Sequence, residues 1–356
     1  MDSLLSILIW LPIFGAGAVL LIGNNRSQIA KWASVGTSIL VFLLSINLFL
    51  DFDTTTSSMQ FVEKTSWISQ FNIFYHLGID GISMPLIILT TFSTILVIIA
   101  GWEVIKNRVA DYMAAFLMME GIIIGVFSAM DSMLYYVFWE ASLIPMLLII
   151  GIWGGKNRVY ASIKFFLYTF LGSVFMLVSL IYMYNLSGSF AISDLHSLPL
   201  TLSQQSWIFW AFFLAFAVKV PMFPVHTWLP DAMEGPTPVS ALIHAATLVV
   251  AGVFLIIRCS ILFENAETTL IIVSIIGALT AFMAASIGLF QNDLKRVIAY
   301  STCSQLGYMI FISGLSHYSV SIFHLANHAV FKALLFLSAG CVIHGLSDEQ
   351  DLRKME

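Results

Sequence analysis

The chain has 356 residues, 59% hydrophobic and 10% charged, with a net charge of −5 and a mean hydropathy of +0.94. A soluble domain carries about 25% charged residues, and disorder needs low hydrophobicity with high charge, so both classes are excluded. With 15 Lys/Arg against 20 Asp/Glu and no basic block, nothing offers nucleic acid an electrostatic footprint. A polytopic membrane protein remains.

At about 20 apolar residues per span, hydropathy predicts about eleven helices. They cover residues 4–22, 30–49, 84–104, 113–130, 132–152, 160–184, 206–222, 238–258, 268–290, 296–314 and 318–345. The start, Met1-Asp2-Ser3-Leu4, lacks the basic segment of a cleaved signal peptide, so 4–22 reads as a permanent span. The polar interval 51–83 reads as an extramembrane loop, and 187–206 as a second one. No linker divides the chain, which reads as one membrane bundle. Cys259, Cys303 and Cys341 lie far apart without a CxxC, too few thiolates for an iron–sulfur cluster.

The basic residues give the orientation. Loops after odd-numbered spans hold Arg26, Lys31, Lys106, Arg108, Lys156, Arg158, Lys295, Arg296, Arg353 and Lys354, whereas those after even-numbered spans hold only Lys64 and Arg258. The N-terminus is therefore expected outside and the C-terminus inside.

Lys164, Lys219, Lys332, Glu120 and Glu140 fall within hydrophobic spans. An ionisable group at mid-bilayer costs about 2.5–3.5 kcal/mol even on the lenient insertion scale, and its default role is in a proton or ion pathway. The bland alternative is a helix-end side chain snorkelling to the interface. In the seventh span, Lys219 is followed by Pro221 and Pro224. Neither can donate a helical hydrogen bond, so the carbonyls of Ala217 and Val220 are expected to lose their partners. Such backbone survives at membrane depth only facing protein or water, as in discontinuous transporter helices; a plain kink is the alternative. Pro145, five residues after Glu140, repeats the theme weakly.

In the eleventh span His324, His328 and Lys332 recur at i, i+4 and i+8 and share one face. A zinc pair would need a third ligand, and none lies near in sequence, so a proton relay is the better use of these histidines. His244 in the eighth span either joins that relay or is an interhelical hydrogen-bond partner. GxGxxG, phosphate-loop, GxSxG and HExxH motifs are absent from the sequence.

Several stretches together resemble the antiporter-like membrane subunits of respiratory complex I. They are Phe138-Trp139-Glu140 with Ile144-Pro145-Met146, the tract Lys219 to Ala232 (KVPMFPVHTWLPDA), Asn292 to Thr302 (NDLKRVIAYST), and His324 to Lys332. Residues 1 to about 224 look like subunit M (mitochondrial chain 4), and about 232 to 356 like subunit L (mitochondrial chain 5). The resemblance implies an all-α polytopic fold with an antiporter-like inverted-repeat bundle and a broken seventh helix, truncated before the twelfth. Residues 1–110 would hold the first three spans and an external loop, 111–258 the first five-helix repeat, and 259–356 an incomplete second repeat.

By matching position, Glu140 would be a switching carboxylate, Lys219 its lysine, and His244 and Lys332 the onward carriers. Lys164, His324 and His328 would be further members of the polar axis. The family holds its NADH, FMN, iron–sulfur and quinone chemistry in partner subunits, so this chain would bind no cofactor or metal. Its partners would be the other membrane subunits and the lipid bilayer, in a bacterial or, alternatively, mitochondrial inner membrane. Two rival functions use the same residues: an Mrp-type sodium/proton antiporter subunit, and a scaffold whose buried charges only join helices.

Overall fold

The computed structural model describes residues 3–245, 247–264 and 266–355. Helices α1 (Leu4–Ile22), α2 (Ser27–Leu50), α3 (Ser83–Val104) and α4 (Val109–Ser128) occupy the first four predicted spans. The fifth span is two helices, α5 (Ser132–Ala141) and α6 (Leu143–Trp153). Pro145 explains the interruption: lacking an N–H, it leaves the Ala141 carbonyl without its i+4 donor. Next come α7 (Arg158–Ser187), the short α8 (Ile192–His196), α9 (Leu202–Lys219) and α10 (Trp228–Ala232). The eighth span is also divided, into α11 (Thr237–Ala245) and α12 (Leu248–Arg258), where a continuous helix was expected; Ala246 lies outside the described residues. A one-turn α13 (Ser260–Phe263) precedes α14 (Glu267–Gly288), α15 (Leu294–Ser313) and α16 (Tyr318–Gly345).

Nine helical segments among the described residues are long and apolar enough to cross a membrane. The two other predicted spans correspond to α9 and α15, which are helical but diluted by Ser203, Gln204 and Gln205 or by Lys295, Arg296 and Gln305. The interval read as a loop contains an antiparallel hairpin, β1 (Gln60–Ile68) with β2 (Ile73–Ile79). Its aromatic and β-branched residues favour strand.

By their contacts, residues 1–149 with 180–198 form one compact unit, and 150–179 with 199–356 form another. In the first, α4 is the core, with 83% of its apolar window buried against 33% for α1 and for α2. The hairpin is tied to the start of α1, where Glu63 accepts from the backbone N–H groups of Leu5 (2.8 Å) and Ser6 and from the Ser6 hydroxyl. Asp131 joins β2 to α5: its carboxylate accepts from Phe74 N–H (3.1 Å) and N-caps α5 through Met133 and Leu134. Burial pushes the Asp131 carboxyl above its ordinary value.

In the second unit α11 and α12 are the core, wholly buried. Around them α14 and α16 turn Phe282 and Phe323 outward, the exposed apolar faces expected toward lipid. One end of this unit gathers 155–158, 233–235, 291–296 and 350–354. Gly155 N–H donates to Glu234 O (2.8 Å), Leu294 N–H to Gln350 O (3.0 Å) and Leu352 N–H to Asn292 O (2.8 Å). These are the turns after predicted spans five, seven, nine and eleven. At the other end Ser316 and Tyr318 hydroxyls donate to Glu264, joining the turns after spans eight and ten. The alternation inferred from charge is thus written into the hydrogen bonds of this unit.

Candidate functional site

The tract after α9 carries the least regular backbone. With Pro221 unable to donate, Val220 N–H closes the helix on Phe216 O (2.7 Å), and Met222 N–H turns back to Ala217 O (2.8 Å). The Ala217 carbonyl, expected to lose its partner, is therefore satisfied. The displaced need falls on Val218 O, whose i+4 donor is the diverted Met222. The indole N–H of Trp228 meets it at 2.7 Å, so a side chain from α10 closes the end of α9. Phe223 N–H donates to the Thr280 hydroxyl on α14 (3.0 Å), and the Phe223–Pro224 peptide is cis.

Lys219, the last residue of α9, is 1% exposed. Across from it lies Gly252 of α12, where an added Cβ would stand 2.5 Å from Val220 Cγ2 and 3.3 Å from Lys219 Cβ. Only a glycine lets α12 approach this closely.

His244 is the penultimate residue of α11 and fully buried, its ring stacked on Phe336 of α16 at 4.6 Å. The Thr247 hydroxyl donates to Leu242 O (2.9 Å) where the helix is interrupted. On α16 the predicted row is real. His324 Nε2 is 2.8 Å from Gln305 Oε1, His328 and Lys332 are fully buried, and Phe336 one turn on meets His244. Lys332 Nζ donates to Ser301 Oγ (2.8 Å) and toward Ile298 O (3.4 Å) of α15. Neither ring nitrogen of His244 or of His328 has a protein hydrogen-bond partner among the described residues.

Lys164, expected on the polar axis, forms an ion pair with Asp231 at 2.6 Å. One lysine differs from its sequence reading. Lys295, counted among the basic residues of the inner loops, is 2% exposed, and its ammonium donates to Met233 O (2.5 Å) and Gly235 O (2.6 Å). Sequence reasoning missed it because Asn292-Asp293-Leu294 reads as a turn, and the carbonyls that hold it lie about sixty residues away. Trp228 and Asp231 were missed as well, though both stand in the tract that carries the resemblance.

In the other unit Glu140 lies half-buried at the end of α5, two residues before the interruption at Ser142. Glu120 on α4 is fully buried, with neither carboxylate oxygen bonded to protein among the described residues.

Residues 129–356 match the family described as NADH:quinone oxidoreductase/Mrp antiporter transmembrane subunits, and 9–127 match the amino-terminal part of NADH-ubiquinone oxidoreductase chain 4. The chain belongs to this family. Subunit M of the NADH-quinone oxidoreductase of Rhodobacter capsulatus is 42% identical, covering 96% of the chain and 70% of the relative. Chain 5 of the NADH-ubiquinone oxidoreductase of Metridium senile is 41% identical over 97% of the chain and 58% of the relative. Both kinds of relative therefore align through both halves. The chain-4 match over 9–127 agrees with the M-like reading of the first part.

A chain in the structure titled respiratory complex I from Thermus thermophilus with bound NADH superposes with a TM-score of 0.84 at 28% identity, covering 96% of this chain and 71% of that one. A chain of the Mrp complex from Dietzia sp. DQ12-45-1b superposes at 0.87 with 23% identity, over 96% of this chain and 38% of that one, which shows a shared fold. The complex I subunit described here is an antiporter-like, multi-pass protein of the bacterial inner membrane.

Proposed function

We propose that this chain is the proton-translocating membrane subunit of an NADH:quinone oxidoreductase, assembled with the other membrane subunits of complex I. Redox chemistry proceeds in partner subunits, and protons move here through buried side chains. Lys219 carries the reading: a buried lysine at the end of a helix whose continuation is broken by two prolines and closed by Trp228. A lysine at such depth is costly unless it serves transport, and irregular backbone belongs beside protein or water.

In this reading Lys219 loads and releases a proton, with Glu140 as the carboxylate whose protonation accompanies it. His244 and Lys332 carry the proton onward, with His328 beside them. The buried imidazoles without protein partners fit this role, since buried polar groups are normally satisfied by protein or water. His324, bonded to Gln305, and Lys164, paired with Asp231, sit at the margins of the path. Sodium/proton antiport would use the same groups. The relatives at 36–42% identity among subunit M chains bear the oxidoreductase name, and that favours redox-coupled proton transport.

The test is reconstitution of the assembled oxidoreductase carrying Lys219→Ala or Glu140→Gln. NADH oxidation and vesicle acidification are followed together, with and without sodium. A lower proton-to-electron ratio in an assembled, NADH-oxidising complex is expected. A ratio equal to wild type for both variants would refute the role assignment, and a sodium requirement would replace the proton reading with antiport.

A further inference from the structure

At the end of the second unit that carries the basic turns, a cavity of about 360 Å³ opens between four chain segments. Glu234, Gln291, Asn292, Asp293, Arg296 and Gln350 supply its polar wall. The segments are tied together rather than loosely apposed. Asp293 caps α15 through Arg296 N–H (2.9 Å), an isolated antiparallel bridge joins 350–352 to 292–294, and Glu234 accepts from the backbone of Gly155 and Asn157. A polar cavity of this size holds several waters.

Met233 also lines the cavity, and its carbonyl accepts the Lys295 ammonium. Lys295 thus lies one residue beneath the cavity, buried and held by two neutral carbonyls. The charges that act on it, Asp293 and Glu234, both line the cavity. In the other direction α15 leads inward. Ile298 and Ser301, the groups that receive Lys332, lie three and six residues beyond Lys295, about 4.5 and 9 Å along the helix at 1.5 Å per residue.

We propose that this cavity is the cytoplasmic proton intake of the chain and that Lys295 is the first proton-carrying group within it. A hydronium in the cavity transfers its proton to the neutral Lys295 amine and leaves as water. The resulting ammonium then gives that proton to a water on the path toward Lys332 and His244, which restores the amine. The inference rests on the proton-transport reading above, and it assigns that reading a point of uptake.

The experiment uses the assembled oxidoreductase in vesicles with the cytoplasmic face outward. Lys295→Arg keeps the cation and its donors but cannot give up its proton, so a purely structural lysine would be rescued by it. The expected result is a fall in proton-to-electron ratio equal to that of Lys219→Ala. Asn292→Trp, a rim change that fills the cavity, should lower the ratio in the same direction. Independently of activity, Lys295→Cys in a Cys341→Ser background should react with a water-soluble methanethiosulfonate added outside, and Asn292→Trp should slow that reaction at least several-fold. A wild-type ratio for Lys295→Arg, or a cysteine at 295 that stays unlabelled, overturns the proposal. Should Lys219→Ala stop pumping while Lys295→Arg pumps normally, only the intake assignment falls. Normal pumping by Lys219→Ala and Glu140→Gln removes the transport reading itself.

Discussion

Replacing Trp228 by Phe isolates the contact that ends α9. The ring is retained, with Phe165 at 5.3 Å to pack against. The Nε1–H that reaches Val218 O at 2.7 Å is removed. Trp228 is 0% and Val218 6% exposed, so water does not readily replace the donor. A buried acceptor left without its partner costs about 1–3 kcal/mol, while interhelical hydrogen bonds in membranes measure about 0.6–1.7 kcal/mol. The two ranges overlap at about 1–1.7 kcal/mol. Because Val218 adjoins Lys219, that cost falls on the last turn of α9, where local opening should rise about 5–18-fold. Hydrogen exchange followed by mass spectrometry on peptides spanning 216–222 reads this directly, since the Val220 and Met222 amides close the helix end. Exchange of these amides at the wild-type rate in the folded variant would refute the reasoning, because the indole would then hold nothing in place.

Gly252→Ala would place a methyl 2.5 Å from Val220 Cγ2. The overpacking should cost about 1–3 kcal/mol, seen as a lower unfolding temperature of the purified complex and weaker pumping. Asp231→Asn strips Lys164 of its counter-ion. With side chains 16% and 26% exposed, the loss should be about 1–2 kcal/mol, below that of a fully buried pair. A double-mutant cycle with Lys164→Met should recover most of it. At the 350–354 turn, hydrogen bonds from Arg353 hold the half-buried Asp351 carboxyl at about 2, below the usual carboxylate range. Because the folded value is depressed, the contribution of this carboxylate is complete above the unperturbed value near 4 and fades as pH falls from there toward 2. Exchange protection of the Arg353 amide, corrected for intrinsic rates, should fall through that window and lose the dependence in Asp351→Asn.

The spans were legible because a bilayer sets a length of apolar sequence, and nine of the predicted stretches meet that criterion as helices. Two interruptions were foreshadowed by Pro145 and Pro221, since a missing N–H is a local fact. The departure from helix at Thr247 has no proline behind it and left no such trace. Lys295 shows the converse limit. Charge beside Asn292 and Asp293 looks like a solvated turn, and only the distant carbonyls of Met233 and Gly235 turn it into a buried group. Trp228 was hidden for a different reason: an indole becomes a helix cap only after the backbone has diverted the regular donor elsewhere. Sequence periodicity reports which face a residue occupies and stays silent about which carbonyl is left needing a partner.

The interruptions and the ionisable residues belong to one design. Among the described residues α5 ends at Ala141 and α9 at Lys219, and the backbone of the eighth span leaves the helical region at Thr247. Glu140, Lys219 and His244 stand within three residues of those points. Each break is the C-terminal end of a helix, where carbonyls outnumber their donors and carry partial negative charge. That field favours a cation and opposes an anion beside it. A continuous helix through any of these positions would remove both the field and the backbone acceptors that water needs. Breaking the helix next to an ionisable side chain therefore sets that side chain beside carbonyls that lack a helical donor and can face protein or water.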